Sequence, residues 1–294
     1  MKTRALKYWT EAMRLRTLPV SAAGVVAACG YAFRDGCFRL APAVICLIFA
    51  LLAQIASNFA NEYYDYAAGL DKAGRDGPRR GVTEGDITPQ AMLRATYLTL
   101  AVACMVGLML VAWGGWWLVI AGIFIVLGAL AYSAGPYPLS HHGLGEVMVV
   151  LFFGIAPVCL CYYVQSGTCN ATVAAGSVGI GLMAANLLIV NNYRDHDDDK
   201  AVGKHTLCVL IGCRATASLY LLNAVAAVAL SLPVWLGMPV ATRIIPVLYL
   251  ALAIILWRRL RCSSGPALNP LLGMTAMAMF AYALAFALAA YLIS

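Results

Sequence analysis

The sequence predicts an all-α polytopic membrane protein, about nine transmembrane helices in a bundle with a central cavity opening to the cytoplasmic face. Three observations carry this expectation. The chain is 63% hydrophobic and 11% charged, with a mean hydropathy of +0.82, well outside the range of soluble domains. Apolar runs of spanning length follow one another from end to end. Two short polar clusters, Asn61-Glu62-Tyr63-Tyr64-Asp65 and Asn191-Asn192-Tyr193-Arg194-Asp195, each close one of those runs. Lipid admits only helices or closed barrels, and the alternation that a barrel strand needs is missing.

A spanning helix needs roughly 20 mostly apolar residues. In order, the runs cover residues 17–33, 41–62, 90–113, 116–133, 145–166, 171–193, 215–236, 243–258 and 271–292. The basic residues Lys2 to Arg16 lead into the first. No small-residue cleavage site separates it from the second, so it reads as a retained helix and not a secretory signal. The second run ends in the first polar cluster. Residues 67–89 then form the longest polar segment, whose Gly and Pro content precludes one continuous helix. Thr88-Pro89 reads as the N-cap and first turn of the third span. The first, fourth and eighth runs sit near the short limit, which makes eight or nine spans the expectation. The sixth ends in the second cluster, followed by Lys200, Gly203, Lys204, His205 and Thr206.

Charge sets the orientation. The N-terminus and the 2–3, 4–5, 6–7 and 8–9 connections hold 17 of the 20 Lys and Arg, and the positive-inside rule puts that side in the cytoplasm. Twelve of the 13 acidic residues lie there as well, which orientation does not require and which chemistry at that face explains. The absence of an Arg- and Ser-rich presequence favours a bacterial inner membrane. Residues 1–294 read as one integral-membrane domain whose partner is the bilayer; neither a nucleic acid nor a protein partner is implied. A transporter fits less well, because the mid-span prolines Pro157 and Pro233 have no charged neighbours. The ten cysteines form no C-x-x-C pair and no His/Cys zinc spacing, so they read as packing residues.

The two clusters carry the chemistry. Each places an Asn four residues before an Asp, on one helix face one turn apart, and the copies are offset by the same 130 residues. This suggests an approximate duplication of a four-helix unit. Asn191, Asp195 and Asp199 share one stripe; Asn61 and Asp65 form its counterpart, with Asp71 just beyond. Carboxylates about 5 Å apart repel by roughly 3 kcal/mol at an effective dielectric of 20. One or two Mg²⁺ ions relieve that repulsion and accept diphosphate oxygens. The interspersed cations Lys72, Arg75, Arg79, Arg80, Arg194, Lys200 and Lys204 suit the charge of a diphosphate leaving group. Glu146 and the pair His141-His142 remain polar residues without a role, and both His read as local structure.

These motifs resemble the paired aspartate-rich motifs of the UbiA superfamily of membrane aromatic prenyltransferases. The match is most specific to its 1,4-dihydroxy-2-naphthoate branch, in menaquinone synthesis. Asn61-x-x-x-Asp65 continuing through Asp71-Lys72, Arg75, Gly77-Pro78, Arg80-Gly81 and Thr83-x-Gly85 carries one half of the likeness. Asn191-Asn192-Tyr193-Arg194-Asp195-x-x-x-Asp199-x-x-x-Gly203-Lys204-x-Thr206-Leu207 carries the other. The third acid of the first motif comes at Asp71, where the general family often has it at the position of Gly69, and Glu62 stands where Asp is frequent. The resemblance implies that Asn61, Asp65, Asp71, Asn191, Asp195 and Asp199 hold Mg²⁺ on a polyprenyl diphosphate. Lys72, Arg75, Arg80, Arg194, Lys200 and Lys204 would then bind the diphosphate as its C–O bond ionises. Asp65 and Asp195 are catalytic by that resemblance, as is Tyr132, which would turn its ring to the allylic cation or else anchor a helix end. Arg16 binds the carboxylate of the aromatic acid or snorkels at the cytoplasmic face. Other branches take hydroxybenzoate, homogentisate, a chlorophyllide or haem, and the aspartates do not separate these acceptors.

Overall fold

The computed structural model describes residues 2–71 and 79–294, and the regular elements among them are helices. The principal ones are α1 (Lys2–Ala12), α2 (Leu18–Arg34), α3 (Leu40–Ala67), α4 (Pro89–Leu108), α5 (Trp117–Ala131), α6 (Gly145–Ser166), α7 (Ala171–Arg194), α8 (His196–Ala201), α9 (Leu207–Leu236), α10 (Ile244–Arg261) and α11 (Asn269–Ile293). Eight segments among the described residues are long and apolar enough to cross a membrane, the first running Leu6–Arg34. The short apolar run at 116–133 becomes α5, whose 15 residues rise about 22 Å, less than a bilayer core of about 30 Å. The protein is thus an all-α, multi-pass membrane protein.

Three departures from the apolar pattern shape the bundle. The basic N-terminal segment folds as α1, and the chain then turns at Arg14 through a left-handed conformation (φ 51°). Ala12 of α1 packs with Phe59, Val82, Ile87 and Met92, and Trp9 meets Phe59 edge-on at 5.6 Å. The seventh span starts earlier than its apolar run because α9 opens at Leu207 and breaks at Gly212 (φ 80°), a conformation that glycine adopts without strain. In α6 the turn Val150–Ile155 widens to a π-helix directly before Pro157. Proline lacks an N–H and its ring collides with the carbonyl four residues back, so a widened turn there relieves both faults.

Small residues bring the helices together, as expected where lipid gives apolar side chains no preference for one another. A Cβ on Gly154 of α6 would lie 2.4 Å from Gly181 Cα of α7, and one on Gly24 of α2 would lie 2.8 Å from Pro157 Cγ. Polar side chains on the last spans pair with one another across the core. Trp235 Nε1 donates to Tyr282 Oη at 2.7 Å, and that hydroxyl donates to Ser231 Oγ at 2.8 Å.

The connections sort to the two ends of the bundle as the alternation of spans requires. At one end Tyr162 Oη donates to Asp35 Oδ2 (2.6 Å), and Arg39 N donates to Gln165 Oε1 (3.1 Å). At the other end gather the segments that follow α3, α5, α7 and α10. Between the helices lies a cavity of about 1100 Å³, polar at that second end and apolar along Phe49, Leu118, Phe153 and Val164 toward the first.

Candidate functional site

The last turns of α3 build the first half of the site. Asn61 and Asp65 stand one turn apart on the same face, and Asn61 Nδ2 donates to Asp65 Oδ2 at 3.2 Å. The same amide donates to Ser133 Oγ after α5 (3.1 Å). Asn61 Oδ1 accepts from Arg14 Nη2 (2.7 Å) and from Arg80 Nη2 (3.1 Å). Asn61 therefore ties four stretches of chain to one side chain.

Asp65 is 2% exposed and is surrounded by positive or protonatable groups. His141 Nε2 lies 3.3 Å from Oδ1, while Arg80 Nη2 and Lys204 Nζ each lie 3.7 Å from Oδ2. Arg80 Nε is 3.3 Å from Asp71 Oδ2, so one guanidinium bridges both acids. Glu62 faces another way, and its Oε1 accepts from Val82 N at 3.1 Å. Its place next to the motif holds the Arg80–Ile87 stretch against α3.

The second half sits where α7 meets α8. The helix breaks at Asp195, but Asp199 N donates to Asp195 O at 2.8 Å, and the stripe Asn191, Asp195, Asp199 continues across the break. Arg194 clamps it. Nε and Nη2 donate to the two Asp195 carboxylate oxygens at 2.7 and 2.8 Å, a bidentate pair, and Nη2 also reaches Asn191 Oδ1 at 2.8 Å. Nη1 donates to Asn269 Oδ1 at the start of α11, 2.9 Å away. Lys204 N donates to Asp199 O (2.8 Å) while its ammonium reaches Asp65, so one residue links the two halves.

Asn61, Asn191, Asp195, Asp199, Arg80, Arg194, Lys204, Tyr132 and Arg16 all line the one cavity. Asp65 and Asp71 are not in its wall; both are buried against Arg80. Lys200 is exposed on α8 and stands apart from the cavity. Lys72 and Arg75 lie outside the described residues. Arg194, expected on the diphosphate, has its donors committed to Asp195, Asn191 and Asn269.

Three contacts were not legible. His142 stacks on Tyr137 with centroids 3.5 Å apart and pairs with Pro138 O, which is local structure as expected, but His141 reaches across to Asp65. Arg14 was hidden among basic residues that suit any cytoplasmic helix end. Asn269 looks in sequence like an ordinary helix-start residue. Only the Arg14-x-Arg16 spacing just before a span offered a signal.

Among the described residues no three His, Cys, Asp or Glu side chains stand close enough together to hold a metal ion. The donors that line the cavity are nonetheless hard oxygens, the carboxylates of Asp195 and Asp199 and the amides of Asn61 and Asn191. Mg²⁺ is typically held by one or two carboxylates together with substrate phosphates and waters, without a complete protein cage. The donor set fits that mode of binding. Arg80, Lys204 and Arg194 neutralise the acids in this conformation.

Comparisons with known proteins agree on one family. The UbiA prenyltransferase family model matches residues 23–269. The 1,4-dihydroxy-2-naphthoate octaprenyltransferase of Escherichia coli (strain K12) is 38% identical over 210 residues, covering 69% of this chain and 68% of its own. The Mycobacterium leprae (strain TN) protein of the same name is 32% identical over 280 residues, covering 95% and 94%. Among solved structures, the apo UbiA homolog from Aeropyrum pernix K1 superposes with a TM-score of 0.71 at 16% identity, covering 93% of this chain and 97% of that one. The UbiA homolog from Archaeoglobus fulgidus bound to GPP and Mg²⁺ gives 0.64 at 19%, covering 93% and 99%.

Proposed function

The chain belongs to the UbiA prenyltransferase family, and from that premise we propose that it transfers a polyprenyl chain from polyprenyl diphosphate to 1,4-dihydroxy-2-naphthoate, releasing CO₂ and diphosphate and giving demethylmenaquinol. One observation carries the reading: Asn61, the Asn191-x-x-x-Asp195 motif and the cations Arg80 and Lys204, which pair with the buried Asp65, meet at the polar end of a cavity that is otherwise apolar. That cavity suits a reactant with a diphosphate head and an isoprenoid tail. The naphthoate acceptor is supported by relatives named 1,4-dihydroxy-2-naphthoate octaprenyltransferase, the Escherichia coli protein at 38% identity among them, and the Archaeoglobus homolog was solved bound to GPP and Mg²⁺.

Bound Mg²⁺ supplies positive charge to the diphosphate oxygens. Arg80 and Lys204 would turn from Asp65 to the diphosphate as its C–O bond breaks and the electron pair leaves with it. Arg194 holds Asp195 and Asn191 in fixed orientation, which lowers the cost of ordering them. Tyr132 faces the allylic carbon with its ring, and Arg16 binds the acceptor carboxylate. The ring carbon that bears the carboxylate attacks, and loss of CO₂ restores aromaticity. Residues 1–294 act as one domain of two approximate four-helix halves, with the polar end of the cavity at the cytoplasmic face of a bacterial inner membrane.

The test is an assay of purified protein with a polyprenyl diphosphate, Mg²⁺ and a panel of aromatic acids, with products identified by mass. The expected product from the naphthoate has gained the prenyl group and lost the mass of CO₂. Preference for 4-hydroxybenzoate would instead place the chain in another branch of the family.

A further inference from the structure

The second motif has a neighbour to which the mechanism above gives no part. Glu146 opens α6, is 7% exposed and lines the cavity. Its Oε1 accepts from Asn192 Nδ2 at 3.0 Å, while its buried Oε2 has no hydrogen-bond partner among the described residues. A Cβ on Gly145 would lie 3.6 Å from Tyr132 Oη, so Tyr132 and Glu146 are neighbours on this wall. A carboxylate oxygen left unpaired in such a place is costly unless something donates to it.

The reactants of the proposed function narrow what that donor is. A diphosphate and an aromatic carboxylate only accept hydrogen bonds, and Glu146 repels both. Ring hydroxyls are the remaining donors. On this basis, and resting on the function proposed above, we infer that Glu146 is the specificity-determining residue for the acceptor, accepting the hydrogen bond of the hydroxyl beside the carbon that is alkylated. As that carbon attacks, its neighbouring C–O bond gains double-bond character and the hydroxyl proton becomes more acidic. The Glu146 carboxylate stabilises it there, and the proton stays with the oxygen when CO₂ leaves. The same negative charge turns the acceptor carboxylate toward Arg16 and Arg14.

The variant Glu146→Gln separates this role from packing. The Asn192 amide fixes Gln Oε1 as the acceptor toward itself, which turns the Gln NH₂, a donor, to the cavity. Competitive inhibition of naphthoate turnover by 1-hydroxy-2-naphthoate and by 4-hydroxy-2-naphthoate is the readout. In the wild-type protein the 1-hydroxy compound is expected to inhibit about tenfold more tightly. In E146Q the two compounds become equal, the naphthoate KM rises by about the same factor, and the KM for polyprenyl diphosphate changes less than twofold. A wild type without the preference, or an E146Q that keeps it, overturns the assignment. So does a variant that loses donor and acceptor alike, since that makes Glu146 structural. Wild-type protein that binds polyprenyl diphosphate but prenylates no naphthoate rejects the underlying function instead.

Discussion

At the scale of single residues the site is a contest between fixed cations and carboxylates that a substrate must rearrange. Asp65 is enclosed by His141, Arg80 and Lys204, and Asp195 by the Arg194 fork. Asp65→Asn and Asp195→Asn preserve shape while removing one charge each. Both are expected to lower the rate at least about a hundredfold. Combined in one protein they should cost far less than the sum, because under the proposed function either alone would already break a shared metal and diphosphate site. Rate measurements across a Mg²⁺ titration check this; fully additive defects with Mg²⁺ dependence intact would argue against joint action. Arg14 makes a related case. Its left-handed backbone costs on the order of 1–3 kcal/mol, and the side chain it delivers bonds Asn61 at 2.7 Å. Arg14→Gly relaxes the backbone and deletes that contact, so activity is expected to fall at least about tenfold without loss of thermal stability. Unchanged activity in that variant would remove Arg14 from the site.

At the scale of elements, close approach of α6 and α7 positions Glu146 opposite Asn192, and glycine makes the approach possible. Gly154→Ala would put a methyl 2.4 Å from Gly181 Cα and Ser177 O, both backbone atoms that cannot step aside. A loss of about 1–3 kcal/mol is expected. Gly122→Ala in α5 meets nothing within 4 Å and should be neutral or slightly stabilising. Thermal unfolding of both variants in detergent compares them directly, and equal midpoints would count against the packing account. The elements also mark what sequence conveys. Spans were legible because each long apolar run must satisfy its own backbone, and the i, i+4 spacing of Asn61 with Asp65 correctly put both on one face. The π-turn at Val150–Ile155 was not, since Pro157 signals strain without saying how it is relieved. Nor was the break at Gly212, where a single glycine in an apolar run looks like any other. His141 and Asn269 reach the site across 76 and 75 residues of sequence, and a contact made by tertiary packing leaves no local pattern.

At the scale of the whole molecule, one end of the bundle collects nearly all the charge, and the positive-inside rule turns that asymmetry into a prediction of orientation. With 17 of 20 cations on the loop-rich side, single cysteines placed near Arg79 and near Lys204, in a background lacking the ten native ones, should both label only from the cytoplasm. Labelling from opposite sides would contradict Lys204 reaching Asp65 as well as the charge rule. The remaining question is what the assembled cavity does to its acceptor. The naphthoate carries its carboxylate beside a phenolic oxygen, and attack by that carbon on the allylic cation leaves it tetrahedral. Aromaticity returns only if a substituent departs, and CO₂ is the one that can leave without its bonding electrons. A hydroxybenzoate acceptor alkylated at a C–H position loses a proton instead and keeps its acid. With carboxyl-labelled 1,4-dihydroxy-2-naphthoate, one labelled CO₂ is therefore expected for each prenylated product, and none when Mg²⁺ is chelated. Prenylated product that retains the label would reject the decarboxylating reaction while leaving the chain a UbiA-family prenyltransferase, because the donor half of the cavity is common to both outcomes.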